Sequence, residues 1–140
     1  MGEKKLHLQI ITPRGIKIDQ KADMLVFRAL DGDMGVLPGH VATSTALGDG
    51  ILRIIDEGVE QKMALFGGVA VIENDTVQIL TSIAQRPEEI DLARAETDRE
   101  KAEALLQERS DDLAIRSSQV LLRRSLVRIE VSVYPQDEGE

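Results

Sequence analysis

Apolar and polar residues alternate from residue 5 to residue 12. Leu6, Leu8 and Ile10 fall on one side, His7 and Gln9 on the other, and Ile11 is apolar where the alternation relaxes. A period of two is that of a strand with one buried face. Thr12-Pro13-Arg14-Gly15 reads as a turn, and Met24 to Ala29 as a second strand. Further short strands follow at Ile51 to Ile55, Met63 to Phe66, Val69 to Ile72 and Val77 to Leu80, rich in β-branched residues. Turn signals stand between them at Gly48-Asp49-Gly50, Glu57-Gly58, Gly67-Gly68 and Asn74-Asp75. Strands this short and this regularly interrupted predict an antiparallel sandwich or barrel, so residues 1–84 read as one β-sandwich unit.

The period changes after Gln85. Pro87 suits the first position of a helix, and Glu88, Glu89 and Asp91 complement its positive end. Residues 88–109 hold no Gly or Pro and are dominated by good helix formers. Leu92, Ala95, Ala102 and Leu106 fall at coiled-coil-like spacing, with Arg99 breaking the row. Ser110-Asp111-Asp112 offers a turn and a fresh N-cap, and a second helix runs from Leu113. Its apolar stripe is Ile115, Leu122, Leu126, Ile129 and Val133, with fraying expected over Val131 to Tyr134 before Pro135. Two helices joined by so short a turn predict an antiparallel hairpin over residues 85–134, and residues 135–140 read as a disordered acidic tail. The fold class is therefore α+β, a β-sandwich followed by a helical hairpin. The alanine-rich seam permits close approach but buries little, a few kcal/mol at ~25 cal/mol per Å², about what ordering the helices costs. A permanently docked hairpin and one that opens are both compatible with that balance.

Between the second and third strands lies Asp-Gly-Asp-Met-Gly-Val-Leu-Pro-Gly-His, residues 31–40. Three glycines and a proline predict a tight irregular loop. Met34, Val36 and Leu37 are expected to bury apolar surface, leaving Asp31, Asp33 and His40 outward. This stretch is either a structural turn or a presented contact surface.

Composition removes several classes of function. Acidic residues outnumber basic ones 25 to 17, for a net charge of −8, where nucleic acid would demand a basic footprint. The absence of cysteine excludes disulfides, thiol chemistry and Cys-ligated zinc. Phe27, Phe66 and Tyr134 are too few aromatics for stacking platforms. The N-terminal residues alternate rather than forming an apolar run, so no signal peptide is expected, and no stretch approaches the roughly 18 apolar residues of a membrane span. A soluble, cytosolic protein without direct membrane insertion is expected. No His-Glu-x-x-His, phosphate-binding loop or nucleophile elbow is present. His7 and His40 lack the clustered ligands of a metal site, and nothing supplies Ser44 with an oriented base. The chain reads as a non-enzyme.

Charge is uneven along the helices: the first is dominated by carboxylates, and the second carries Arg116, Arg123, Arg124 and Arg128. Such a basic helix either forms a solvated face or meets an acidic partner, the first helix or another protein. Ile90-Asp91-Leu92-Ala93-Arg94-Ala95 sets Asp91 beside Arg94 and Ala95, and Arg124 and Arg128 lie one turn apart. Folded together, the helices offer a carboxylate for an amine or hydroxyl and guanidinium forks for phosphates. An ordinary Asp91–Arg94 helix salt bridge is the plain alternative.

The run GDMGVLPGHVATSTALGDGILRI, residues 32–54, closely resembles the core motif of the epsilon subunit of bacterial F-type ATP synthases, and the likeness extends from LQIITPRG near the start to the helical C-terminus. That resemblance implies a non-catalytic central-stalk subunit, bound to the gamma subunit and seated on the c-ring at the cytoplasmic face of the plasma membrane. It puts Asp33, Met34 and His40 at the c-ring contact. It implies a hairpin that extends toward the alpha and beta subunits to inhibit ATP hydrolysis, with Arg116, Arg123, Arg124 and Arg128 meeting acids of the catalytic subunit. Residues 90–95 are similar to the Ile/Leu-Asp-x-x-Arg-Ala motif by which some epsilon subunits bind ATP as a regulatory ligand; no cofactor is required. The implied ATP set is Ile90, Asp91, Arg94, Ala95, Lys101, Arg124 and Arg128. Lys101 stands where that motif has an arginine and Gln85 where it has a glutamate. A free-standing adaptor and a pure nucleotide-sensing module are the alternatives.

Overall fold

The structure is a computed structural model that describes residues 4–108 and 111–133. Ser110, Tyr134 and the acidic tail at 135–140 lie outside the described residues, as does the Val133 side chain. No helix among the described residues is long and apolar enough to cross a membrane.

The N-terminal unit is a β-sandwich followed by the two helices. Its strands are β1 (Leu6–Thr12), β2 (Gly15–Ala22), β3 (Met24–Ala29), β4 (Gly32–Val36), β5 (Thr43–Asp56), β6 (Val59–Glu73), β7 (Thr76–Leu80) and β8 (Ala84–Gln85). Their order across the sheet is β2-β1-β7-β6-β5-β3-β4, with β8 on β6. Pairing is antiparallel except between β1 and β7, which run parallel because β7 inserts between β1 and β6.

Two long strands replace the short ones expected. Gly48-Asp49-Gly50 is not a turn but a bend inside β5, and Gly67-Gly68 is a bend inside β6. Inward positions change from Leu47 to Leu52 and Ile54 across the first bend, and from Met63 and Leu65 to Ala70 and Ile72 across the second. Each bend thus reverses which parity of residue faces the core and folds the sheet over on itself. Gly68 has φ +117°, and a Cβ there would stand 2.2 Å from the Leu80 carbonyl oxygen, so only glycine fits. The enclosed core includes Leu6, Leu8, Ile10, Leu25, Phe27, Val36, Leu52, Ile54, Ile72, Val77 and Ile79.

The β2 strand was not legible. It is an edge strand in which Ile18 and Ala22 are buried and Ile16 is exposed. The expected loop over residues 31–40 is also corrected: Gly32–Val36 pairs with β3 as a hairpin, and only the residues beyond it are irregular. Val36 is buried and Met34 half-buried, but Leu37 is 55% exposed, contrary to the burial expected for it.

The first helix begins later than expected. Pro87–Glu89 is one 3-10 turn, Ile90 is extended, and α1 spans Leu92–Gln107. Glu89 closes the 3-10 turn by accepting the Arg86 backbone N–H at 2.7 Å, and Asp91 caps α1 by accepting the Arg94 N–H at 3.1 Å. The second helix, α2, spans Asp112–Val133, with Asp111 accepting the Ala114 N–H at 2.8 Å. Ala95 and Ala102 are the buried residues of α1. On α2 the most buried positions are Ser118, Ser125 and Val131, whereas Leu126 of the expected stripe is 47% exposed. Alanines seven apart on one helix and serines seven apart on the other let the backbones approach closely. The Ser125 hydroxyl is satisfied by the Leu122 carbonyl within its own helix, 2.8 Å away.

Candidate functional site

The hairpin rests on the outer face of the sheet at the two bends. Asp49 of β5 and Phe66 of β6 are direct cross-strand partners there. Asp49 is nearly buried, its side chain 8% exposed, and its Oδ2 accepts from Arg123 Nη2 at 3.2 Å and Arg124 Nε at 3.1 Å. The guanidiniums of Arg124 and Arg128 lie 5.2 and 4.5 Å from the Phe66 ring centre. Around them Ala64, Phe66 and Val131 form a second apolar cluster, flanked by Ile51, Ile83, Ile90 and Val127. Glu130 adds a long contact to Arg53 at 3.8 Å. Arg123 and Arg124 of the basic helix thus find their acidic partner in a carboxylate of the sandwich, while Asp98 of the first helix acts on Arg128. Nothing in the Gly48-Asp49-Gly50 signal pointed to it, because its role arises from the bend.

Beside this junction lies a cavity of about 320 Å³ lined by Gln85, Glu89, Asp91, Arg94, Ala95, Asp98 and Arg128. The 3-10 turn supplies Glu89, which also pairs with Lys17 at 2.8 Å. Arg128 donates to Gln85 Oε1 at 2.7 Å. Burial first, and then the charge of Arg124, hold Arg128 below the ordinary guanidinium range, while Asp98 and Asp49 act the other way. Three carboxylates and two guanidiniums give the cavity acceptors for an amine or hydroxyl and forked donors for an anionic group.

Of the residues expected to gather around a nucleotide, Asp91, Arg94, Ala95 and Arg128 line this cavity. Ile90 joins the neighbouring apolar cluster, Arg124 is held by Asp49, and Lys101 lies exposed on α1 outside the lining. The Asp91 carboxylate caps a backbone N–H, which replaces the side-chain salt bridge considered for it. Asp98 and Glu89 were missed as lining residues. Asp98 follows Arg94 by four, a spacing that sets both on one helix face.

The stretch after β4 presents a second surface. Asp33 is exposed on β4 and pairs with its cross-strand neighbour Arg28 at 3.4 Å, while adjacent Met34 turns toward the core. The His40 N–H closes a turn on the Leu37 carbonyl at 3.1 Å, and its Nδ1 lies 2.8 Å from the Val41 carbonyl oxygen. The Gly39 N–H donates to Asp75 at 2.7 Å and ties this tip to the β6–β7 turn. Leu37 and Val41 flank it, both exposed. Arg116 is exposed near the start of α2. Asp23, Asp56 and Glu57 converge, but around the Lys5 ammonium, which pairs with all three.

A third surface is apolar. Ile16 pairs with Ile11, Ile11 with Leu80, Leu80 with Val69 and Val69 with Ala46, whose carbonyl accepts the Leu30 N–H. This row crosses the sheet beside the hairpin's footprint; Ile16, Leu30, Val69 and Leu80 are 59, 71, 42 and 46% exposed.

Fold and junction define a class: a β-sandwich carrying a C-terminal two-helix hairpin folded onto its outer face. Residues 5–87 match the family described as ATP synthase, Delta/Epsilon chain, beta-sandwich domain, and residues 88–132 its long alpha-helix domain. The ATP synthase epsilon chain of Bacillus velezensis is 36% identical over 129 residues, 92% of this chain and 98% of that one. That of Bacillus subtilis is 37% identical over 129 residues, with the same shares of 92% and 98%. A chain in the cryo-EM structure of the Euglena gracilis mitochondrial ATP synthase, OSCP/F1/c-ring in rotational state 1, matches with a TM-score of 0.80 at 26% identity, over 93% of this chain and 82% of that one. The chain belongs to the ATP synthase delta/epsilon family, as one of its epsilon chains.

Proposed function

We propose that this chain is a non-catalytic rotor subunit of the ATP synthase central stalk, joining the gamma subunit to the c-ring and restraining ATP hydrolysis through its hairpin. The observation that carries the reading is the apolar row from Ile16 through Leu80 and Val69 to Leu30, which crosses the sheet where the hairpin leaves it uncovered. Contiguous apolar surface of this kind marks a protein interface, and gamma is its proposed occupant. Asp33 on β4, together with the tip that carries His40, stiffened by the Gly39–Asp75 bond and edged by Leu37 and Val41, is the proposed c-ring contact, with Met34 supporting β4 from the core side. Through these contacts the chain is held peripherally at the cytoplasmic face of the membrane. The test is Val69→Glu with Leu80→Glu: loss of co-purification with gamma and of ATP-driven ion pumping is expected, with the strand signal in circular dichroism unchanged. Undiminished binding to gamma would remove the row from the interface.

The cavity supports nucleotide sensing as part of the same function. ATP is proposed to seat against Asp91, Arg94, Ala95 and Arg128, under Ile90, and so to favour the folded hairpin, because a ligand shifts an equilibrium only by its differential affinity. In the extended form Arg116, Arg123, Arg124 and Arg128 would turn to acids of the catalytic subunit. Calorimetry on the isolated chain tests the ligand. Asp91→Asn, which keeps a capping side chain, and Arg94→Gln are expected to abolish the heat of ATP binding, and Lys101→Arg, outside the lining, to leave it unchanged. No heat at millimolar ATP would refute nucleotide binding.

A further inference from the structure

We propose that Asp49 is an intrachain latch, standing in for the acidic partner that the arginines of α2 would otherwise seek. A single oxygen, Oδ2, takes three donors from two consecutive arginines: Arg123 Nε at 3.3 Å, Arg123 Nη2 at 3.2 Å and Arg124 Nε at 3.1 Å. Charge-assisted bonds to a nearly buried carboxylate are the strong members of their kind. The bend supplies the room. Asp49 lies between two glycines, and a Cβ on Gly50 would meet the Arg28 Cβ at 2.6 Å. Across the ladder, Phe66 places its ring under Arg124 and Arg128.

The arrangement also answers a problem internal to α2. Arg124 and Arg128 are like charges one turn apart, with Arg123 adjoining, an unfavourable cluster on a helix without an acid nearby. Among the described residues of α2, Asp112 and Glu130 are the acids; Asp112 is at the far end and Glu130 contacts Arg53. Asp49 therefore offsets the charge of Arg123 and Arg124 only while the hairpin is docked, with Asp98 of α1 acting on Arg128. Pairing of Arg123 and Arg124 with Asp49 excludes their pairing with any other acid, so docking and engagement of an outside partner compete for the same guanidiniums. This regulatory consequence rests on the inhibitory role proposed above; the latch does not.

Asp49→Asn tests it in the full-length chain. The natural sequence has no cysteine, so Ala64→Cys, beneath α2, and Ala70→Cys, in the sandwich core, each report exposure of one layer. Asp49→Asn should speed thiol modification at position 64 about tenfold, the loss of one charge-assisted contact, and leave position 70 unchanged. Arg123→Gln with Arg124→Gln should speed position 64 similarly, and adding Asp49→Asn should then do nothing more. Unchanged labelling at position 64, equal acceleration at both positions, or additive effects would each overturn the latch. ATP hydrolysis by the assembled complex is the separate readout: faster labelling with slower hydrolysis supports both readings, and faster labelling with unchanged hydrolysis keeps the latch and removes the brake.

Discussion

Val131→Ala isolates the apolar half of the docking interface. Val131 is fully buried and packs in one cluster with Ala64 and Phe66 of β6. The change removes two methyl groups, ~1.6 kcal/mol of transfer free energy at ~0.8 per carbon. An unrelaxed void would add ~24 cal/mol per Å³, for a total of ~2–3 kcal/mol. Alanine is the better helix former, but that gain applies to docked and undocked helices alike and cancels. Docking should therefore weaken by roughly 30-fold to 140-fold, at ~1.4 kcal/mol per decade. Native-state hydrogen exchange reads this directly. Amides of α2 from Leu122 onward should exchange faster by that factor, while those of Ile54, Ile72 and Ile79 in the sandwich keep their rates. Acceleration of both sets together would mean that hairpin and sandwich open as one unit. No acceleration in α2 would mean that the Val131 contact does not hold it.

Two further outcomes concern the sandwich. Gly68→Ala meets both a positive φ and the Leu80 carbonyl, so the unfolding free energy should fall by at least ~2 kcal/mol, seen as a lower urea midpoint at an unchanged slope; a midpoint like that of the natural chain would refute the required bend. The Asp23 carboxylate is held low first by the Glu57 N–H and then by Lys5, and Lys5 is held high by Asp56, Glu57 and Asp23. A depressed acid contributes above its unfolded value of about 3.9 and loses that contribution as pH falls through its folded value; raised Lys5 contributes until pH climbs well past about 10.4. Asp23→Asn should thus flatten the fall of Tm below about pH 4 and leave the neutral range flat; an unaltered acid limb would exclude Asp23 as its source.

Periodicity alone determined the existence of the sandwich and the hairpin, because alternation in Leu6 to Ile10 and the Gly-free run after Pro87 are local consequences of which residues must be buried. The motif at residues 32–54 carried the family likeness for the same reason, being a contiguous stretch. Tertiary structure decided the rest. A strand that bends without breaking looks like two strands and a turn, so Gly48-Asp49-Gly50 and Gly67-Gly68 were read as ends rather than as the folds that close the core. Serines buried between helices cannot be told from solvent-facing ones by hydropathy, so Ser118 and Ser125 were absent from the expected seam. Asp49 gained its role only when the fold brought it beneath α2, against arginines 74 and 75 residues away in sequence. Local patterns record what each segment buries. Which buried surfaces meet depends on pairings between distant segments, and no single segment encodes those.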